Sequence, residues 1–224
     1  MLDVNRGPTL RYDPPVSAAL ARRLEAMGIH SARVLDAVVR VDRARFLPPE
    51  RREEADGDWP IPIGFGQTIS QPFIAAYMTE RLGLAGEERV LEVGTGSGYQ
   101  TALLAELARK VYSLEIVPEL AARARALLLD ELGLVNVRLR QGDGALGWPE
   151  EAPFDRILVA AAAPAVPPAL LEQLAPGGRM ILPVGADPGG QALRVVDRRE
   201  DGGYVEVDVL GVRFVPLTRA PPAR

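Results

Sequence analysis

Three glycines at alternate positions form the most informative segment of the chain. Residues 90–98 read Val-Leu-Glu-Val-Gly-Thr-Gly-Ser-Gly, so that an apolar stretch typical of a buried strand runs into Gly94, Gly96 and Gly98. Glycines at such a turn let the chain bend tightly and let a ligand approach the backbone. The segment therefore predicts a ligand-binding loop between a strand and a helix.

The residues around this loop indicate the charge of the ligand. Tyr99 occupies the position at which a dinucleotide motif carries its third glycine, and Glu92 lies two residues before Gly94. The carboxylate of Glu92 would repel a pyrophosphate and attract a cationic amine or sulfonium. S-adenosylmethionine has both cations and no phosphate, which makes it the favoured ligand. A dinucleotide loop with an unusual third position and a glycine turn without a ligand are the alternatives.

Two further acids follow predicted strands. Glu115 lies 21 residues after Gly94, where an acid in nucleoside-binding folds accepts hydrogen bonds from the ribose hydroxyls. Asp143, in Gly142-Asp-Gly144, can accept a hydrogen bond from the amino group of an adenine. The alternatives are a solvated charge for Glu115 and a tight turn for Asp143. In a parallel sheet, all three acids would line the carboxyl edge, where open α/β sheets bind ligands.

A pair of hydroxyls lies upstream of the glycine segment. Thr68 and Ser70, in Gly64-Phe-Gly-Gln-Thr-Ile-Ser-Gln-Pro72, point the same way if the chain is extended there. The alternative is that Ser70 caps a helix, because Pro72 is typical of a first helical turn.

Composition excludes several chemistries. The chain has 224 residues, no cysteine, one histidine and a net charge of −4. A thiolate nucleophile, a disulfide and a multi-histidine metal site are therefore impossible, and we expect no metal. The charge argues against a nucleic-acid partner. No apolar run reaches the length of a membrane span, and the N-terminus lacks the apolar region of a signal peptide. We expect a cytoplasmic monomer with no membrane partner.

Hydrophobic periodicity predicts an N-terminal helical extension followed by alternating strands and helices. The predicted helices are 15–27, 32–41, 72–82, 99–108, 119–132 and 167–174, and a loop is expected at 51–58. The predicted strands are 89–93, 111–116, 135–140, 154–161 and 179–184, followed by a hairpin of 192–198 and 204–210. Residues 212–217 are expected to form one more strand or an extended edge. This order predicts an α/β, Rossmann-like, doubly wound fold with a mostly parallel sheet, helices on both faces and an antiparallel C-terminal hairpin.

Eight segments, in this order along the chain, resemble the protein-L-isoaspartate O-methyltransferase family. They are Ile63–Pro72, Leu91–Tyr99, Gly142–Trp148, Ala152–Ile157, Ala161–Pro164, Leu174–Arg179, Leu182–Gly185 and Val212–Thr218. The glycine segment alone would indicate only a class I methyltransferase. Gln67-Thr-Ile-Ser70 and the Val-Pro-Leu-Thr tail ending at Thr218 are far more specific. The resemblance implies one methyltransferase domain over 1–224, with a substrate-loop region (1–82), a cofactor core (83–190) and a C-terminal hairpin and tail (191–224).

The resemblance also implies the activity and its residues. Such enzymes transfer a methyl group from S-adenosylmethionine to the α-carboxyl of isoaspartyl residues in damaged proteins and peptides, and the ester then cyclises to a succinimide. The family's active-site serine falls on Ser70. Expected substrate-binding residues are Thr68, Ile69, Ser70 and Val212. Expected cofactor-binding residues are Gln67, Thr68, Ser70, Glu92, Gly94, Thr95, Gly96, Gly98, Tyr99, Glu115, Ile116, Asp143, Gly144 and Thr218.

Three other functions remain open at this point. The first alternative is a methyltransferase that acts on a small-molecule carboxylate or amine. The others are a dinucleotide oxidoreductase and a non-catalytic module that binds S-adenosylmethionine or a peptide.

Overall fold

The computed structural model describes residues 18–219. Within them the helices are α1 (Ala18–Ala26), α2 (Ala32–Arg40), α3 (Pro72–Leu82), α4 (Tyr99–Leu107), α5 (Pro118–Arg125) and α6 (Pro168–Gln173). The strands are β1 (Ile61–Gly64), β2 (Gln67–Ile69), β3 (Arg89–Val93), β4 (Lys110–Glu115), β5 (Val137–Gln141), β6 (Phe154–Val159), β7 (Leu174–Val184), β8 (Gln191–Arg198) and β9 (Tyr204–Val212). Residues 15–17, where the first predicted helix would begin, lie outside the described range.

The central sheet has seven strands in the order β5-β4-β3-β6-β7-β8-β9. Strands β3 to β7 pair in parallel, whereas β8 is antiparallel to both β7 and β9. The predicted α/β fold and its antiparallel C-terminal hairpin are therefore confirmed. Strand order reverses between β3 and β6, which is the position where doubly wound sheets bind ligands at their carboxyl edge.

Apolar side chains alternate between the two faces of the sheet, and each face has its own core. Val90 and Val111 pack in the core that also contains apolar residues of α1 to α5. Leu91, Val93 and Tyr112 pack on the opposite face, in the core that includes Leu170 of α6. Because both faces are covered, β3 and β4 are buried along nearly their whole length, which explains their continuous apolar sequence.

The N-terminal helices are joined to the sheet layer by polar contacts. Ser31 caps α2 by accepting a hydrogen bond from the backbone N–H of Val34, as the sequence predicted. The backbone N–H groups of His30 and Ser31 both donate to Glu80 Oε1 on α3. These bonds attach α2 to the helix that follows Ser70.

Four local predictions were wrong or incomplete. Part of the loop expected at 51–58 is a 3-10 helix, Pro49–Glu54, in which Arg51 and Glu54 form an ion pair. Residues 59–72, whose glycines and prolines favour turns, contain an antiparallel hairpin of β1 and β2, which buries Ile61, Ile63 and Ile69. The helix expected at 119–132 continues beyond α5 as a π-helix, Ala126–Glu131. Strand β7 begins directly after α6, five residues earlier than expected.

The tail after β9 is not a further strand. Beyond Val212 it makes a single bridge, between Pro216 and Ala162, which brings residues 215–218 to the carboxyl edge of the sheet. No helix among the described residues is long and apolar enough to cross a membrane.

Candidate active site

A cavity opens at the carboxyl ends of β3, β4 and β6, where the strand order reverses. Its walls come from the loop after β3, the end of β4, the hairpin strand β2 and the C-terminal tail. The lining residues are Gln67, Thr68, Ile69, Ser70, Ala75, Val93, Gly94, Thr95, Gly96, Ser97, Tyr99, Gln100, Leu114, Glu115, Ile116, Val117, Gly144, Ala160, Ala161, Val215, Pro216, Leu217 and Thr218. We call this the first cavity.

The glycines of the loop are required by its geometry. Gly98 has φ of 90° and a Cβ there would lie 2.9 Å from Leu128 Cδ1. A Cβ at Gly144, in the turn after β5, would lie 2.2 Å from Val93 Cγ1. Both distances are shorter than carbon atoms tolerate. Gly98 supports the loop from behind, whereas Gly94, Gly96 and Gly144 lie on the cavity wall.

Glu115 occupies the position expected of a ribose-binding acid. Its Oε2 accepts the backbone N–H of Gly96 at 2.7 Å, and its Oε1 accepts that of Val117 at 2.9 Å. A carboxylate offers about four acceptor positions, so each oxygen can also accept a ligand hydroxyl. Two acceptor oxygens on one side chain suit the two adjacent hydroxyls of a ribose, and Gly94 and Gly96 line the cavity beside them.

Glu92 lies elsewhere, and the expectation that it faces the ligand is corrected. Its side chain is fully buried inside β3 and does not line the cavity. Its Oε2 accepts hydrogen bonds of 2.6 Å from the hydroxyls of Thr101 and Ser113. Ser113 Oγ is in turn 2.5 Å from Thr95 Oγ1 in the glycine loop. Glu92 therefore reaches the loop only through two hydroxyls, because α4 covers this side of the strand.

The side chain of Asp143, which was expected to bind adenine, does not line the first cavity. Its Oδ1 caps the following 3-10 turn by accepting the N–H of Ala145, and its Oδ2 accepts Arg219 Nε at 3.0 Å. The wall of the first cavity is formed by the neighbouring Gly144, not by the Asp143 side chain. Most of the other expected cofactor residues also line the first cavity, namely Gln67, Thr68, Ser70, Gly94, Thr95, Gly96, Tyr99, Ile116 and Thr218.

A second cavity adjoins the first across the hairpin. It is lined by Pro60, Thr68, Ser70, Gln71, Ile74, Ala160, Gly189, Gln191, Gly211, Val212, Arg213, Phe214 and Val215. Thr68 and Ser70 line both cavities and therefore lie at the boundary between them. Val212, an expected substrate residue, lies on the second cavity alone.

The alternative role of Ser70 as a helix cap is wrong. The backbone N–H of Phe73 at the start of α3 donates to Asp58 Oδ1, and Gln71 Nε2 donates to Asp58 Oδ2. Asp58 therefore satisfies the helix end, and Ser70 makes no side-chain hydrogen bond within the described residues. Its hydroxyl is available to a ligand.

Some of the lining could not be singled out by chemical reasoning. Ser97, Gln100 and Ala160 line the first cavity, as do the apolar tail residues Val215 to Leu217. Ala and Val side chains carry no chemical signal of binding. The only sequence signal for the tail was the Val-Pro-Leu-Thr segment within the family resemblance.

The doubly wound sheet, the glycine loop after β3 and the acid that ends β4 define a Rossmann-like, S-adenosylmethionine-dependent methyltransferase. The family model described as Protein-L-isoaspartate(D-aspartate) O-methyltransferase matches residues 16–221. The chain belongs to this family.

Similar proteins share this family. A protein-L-isoaspartate O-methyltransferase of Anaeromyxobacter dehalogenans (strain 2CP-C) is 68% identical over 93% of this chain and 100% of its own length. One from Myxococcus xanthus is 59% identical over 88% of this chain and 94% of its own length. A solved structure from Plasmodium falciparum is described as a protein-L-isoaspartate O-methyltransferase in complex with S-adenosyl-L-homocysteine. It has a TM-score of 0.78 and 26% identity, and the match covers 90% of this chain and 98% of that one.

The buried carboxyl of Glu92 predicts a pH-dependent stability. Burial raises the pKa of Glu92 from 4.5 to about 8, which outweighs the hydrogen bonds from Ser113 and Thr101. Between these pH values the folded chain keeps a proton that the unfolded chain has lost, so the free energy of unfolding falls as pH rises and levels off above about 8. We expect the free energy of unfolding of Glu92→Gln, relative to that of the wild type, to increase by on the order of a few kcal/mol between pH 5 and pH 9. Urea unfolding at both pH values measures this difference.

Glu88→Gln is the matched control. Burial raises the pKa of Glu88, but the backbone N–H groups of Ala85 and Gly86 outweigh it and hold the pKa below the usual value. Its stabilisation is lost only as pH falls through that lowered pKa. The control should therefore be less stable than the wild type by a constant amount from pH 6 to pH 9. A constant difference for Glu92→Gln would contradict the assignment of a buried, protonated carboxyl.

Proposed function

We propose that the protein transfers the methyl group of S-adenosylmethionine to the α-carboxyl of L-isoaspartyl residues in damaged proteins and peptides, which initiates repair through a succinimide. The observation that carries this proposal is the position of Ser70, which lines both the first and the second cavity. One cavity has the glycine loop and Glu115, which suit the cofactor. The other has the surface opening that a peptide needs. Membership of the family supports the same reaction.

The residues of the first cavity divide the work of holding the cofactor. Glu115 would accept the ribose hydroxyls, the backbone of Gly94 and Gly96 would hold the amino acid portion, and Ile116 and Gly144 would hold the adenine. When bound, the cofactor supplies a sulfonium-activated methyl group, which the substrate carboxylate takes while the sulfur keeps the electron pair of the broken bond. The product is S-adenosyl-L-homocysteine.

The second cavity supplies the peptide site. Gln191 fixes its far wall, because its Oε1 accepts the backbone N–H of Phe214 at 2.6 Å and its Nε2 donates to the Phe214 carbonyl. Val212 and Thr68 of the hairpin line the same cavity. An extended isoaspartyl peptide along Val212 would place its α-carboxyl at Ser70.

Ser70 acts as an orienting hydrogen-bond donor and not as a nucleophile. The substrate carboxylate has an ordinary pKa of about 3.5 to 4 and is ionised at neutral pH, so no protein group has to remove a proton. The task of the site is to align the carboxylate oxygen with the methyl group, and such alignment accounts for much of an enzyme's rate acceleration. Thr68, in β2 two residues before Ser70, supports the same segment.

The remaining assignments concern the setting of the reaction. We propose a single methyltransferase domain over 1–224 that acts in the cytoplasm as a monomer, with isoaspartyl proteins and peptides as partners and neither nucleic acids nor membranes among them. The net charge of −4 supports the absence of a nucleic-acid partner, since nucleic-acid-binding proteins usually carry a basic surface. Sedimentation equilibrium tests the monomer.

A pair of peptides that differ only in the linkage of one aspartyl residue tests the proposed reaction. The purified protein should transfer labelled methyl groups from S-adenosylmethionine to the isoaspartyl peptide and not to its aspartyl twin. Equal transfer to both, or transfer only to free small carboxylates or amines, would contradict the proposal and favour a small-molecule methyltransferase.

Removing the Ser70 hydroxyl tests its orienting role. We expect Ser70→Ala to lower kcat for the isoaspartyl peptide by about 100-fold, because misalignment of a reacting group by about 1 Å costs that much. The affinity for S-adenosyl-L-homocysteine, measured by calorimetry, should stay close to that of the wild type, since Glu115 and the glycine loop are intact.

Ser31→Ala is the matched serine control. It removes the cap of α2, far from both cavities, and should cost about 1 kcal/mol of stability without changing kcat. Full turnover by Ser70→Ala would rule out the orienting role.

A further inference from the structure

Arg43 is the most deeply buried charged side chain near the hairpin. It begins the 3-10 turn Arg43–Phe46, and only 1% of its surface is exposed. Its Nη1 donates to the carbonyl of Ala55 at 2.8 Å. Its Nη2 donates to the carbonyls of Trp59 at 3.3 Å and Ser70 at 3.1 Å. One guanidinium therefore binds three carbonyls from three separate places in the chain.

The two carbonyls that share Nη2 lie at the ends of the hairpin. Trp59 precedes β1 by two residues, and Ser70 directly follows β2. The hydrogen bonds of Nη2 therefore close the base of the hairpin at the residue that lies between the two cavities. Across the guanidinium, the ring centroid of Tyr99 is 5.9 Å from Arg43 Cζ, and Tyr99 lines the first cavity.

Stability alone does not explain a cation at this position. Burial lowers the pKa of Arg43, and the nearby phenol of Tyr99 and carboxylates of Asp58 and Asp56 only partly oppose this. The buried Nε has no hydrogen-bond partner among the described residues. Burying a charge costs several kcal/mol, and apolar residues of similar volume often stabilise a core as well or better. What the guanidinium provides, and an apolar side chain would not, is a fixed geometry for the Trp59 and Ser70 backbone.

We propose that Arg43 is a positioning residue of the methyl-transfer site, which fixes the direction of the Ser70 hydroxyl by holding the Trp59 and Ser70 carbonyls on one nitrogen. This inference rests on the proposed function of Ser70. Lysine cannot replace arginine here, because an ammonium is a compact point charge and lacks the planar fork that reaches Ala55 and the hairpin base together.

Arg43→Lys tests the proposal. We expect kcat for the isoaspartyl peptide to fall by about tenfold or more, with only a small change in affinity for S-adenosyl-L-homocysteine. Turnover is expressed per S-adenosyl-L-homocysteine-binding site, so that unfolded protein lowers the number of sites and leaves kcat unaffected. If the lysine variant does not fold, Arg43→Gln serves instead, because it removes the buried charge and keeps an amide donor.

A double-mutant cycle with Ser70→Ala separates positioning from general support. If Arg43 acts through Ser70, the Arg43 substitution should change kcat by less than about twofold once the hydroxyl is absent. A merely structural role would lower kcat by the same factor in both backgrounds, and that result would overturn the proposal.

Arg156→Lys is the matched control. Like Arg43, Arg156 donates to a backbone carbonyl, here from Nε to that of Leu82 at the end of α3, and it lines neither cavity. The kcat of Arg156→Lys should equal that of the wild type. If the wild type methylates the isoaspartyl peptide and the folded Arg43 variant has the same kcat, the inference about Arg43 is contradicted while the proposed function stands. Failure of the wild type to methylate the isoaspartyl peptide would contradict the proposed function itself.

Discussion

The carboxylate of Glu115 connects the two loops on which the first cavity depends. It ends β4 and accepts one backbone N–H from the glycine loop at Gly96 and another from the chain entering α5 at Val117. Hydrogen bonds to an ionised acceptor are stronger than those between neutral groups. One side chain thus fixes the loop after β3 relative to the end of β4, and it remains on the cavity wall with free acceptor positions.

The opposite wall is fixed by different means. Within residues 18–219, the short hairpin of β1 and β2 has no neighbour in a sheet, since β1 and β2 pair only with each other. Its base is instead held by side chains outside it: Arg43 binds the carbonyls of Trp59 and Ser70, and Asp58 binds the start of α3. In the proposed function these two walls have a division of labour, in which the sheet edge holds the cofactor and the braced hairpin aligns the substrate.

Sequence reasoning succeeded where the physical signal was local. The apolar runs of β3, β4 and β6 and their alternation with helices predicted the parallel sheet, and its topology then brought Gly94, Glu115 and Gly144 to one edge. The hairpin was missed because strands of three and four residues among glycines and prolines resemble turns. Glu92 and Glu115 could not be told apart by spacing alone, since only packing against α4 decides that Glu92 is buried. The role of Arg43 had no sequence signal, because an arginine in a polar turn is ordinarily solvated.

The division of labour is tested most directly at Glu115. Calorimetric titration of Glu115→Gln with S-adenosyl-L-homocysteine should give a dissociation constant about 10 to 100 times that of the wild type. The amide would lose the charge that the ribose hydroxyls bind and would turn a donor toward one of the two backbone N–H groups. Glu119→Gln, an exposed acid in the first turn of α5, should bind as the wild type does. Wild-type affinity in the Glu115 variant would contradict the account.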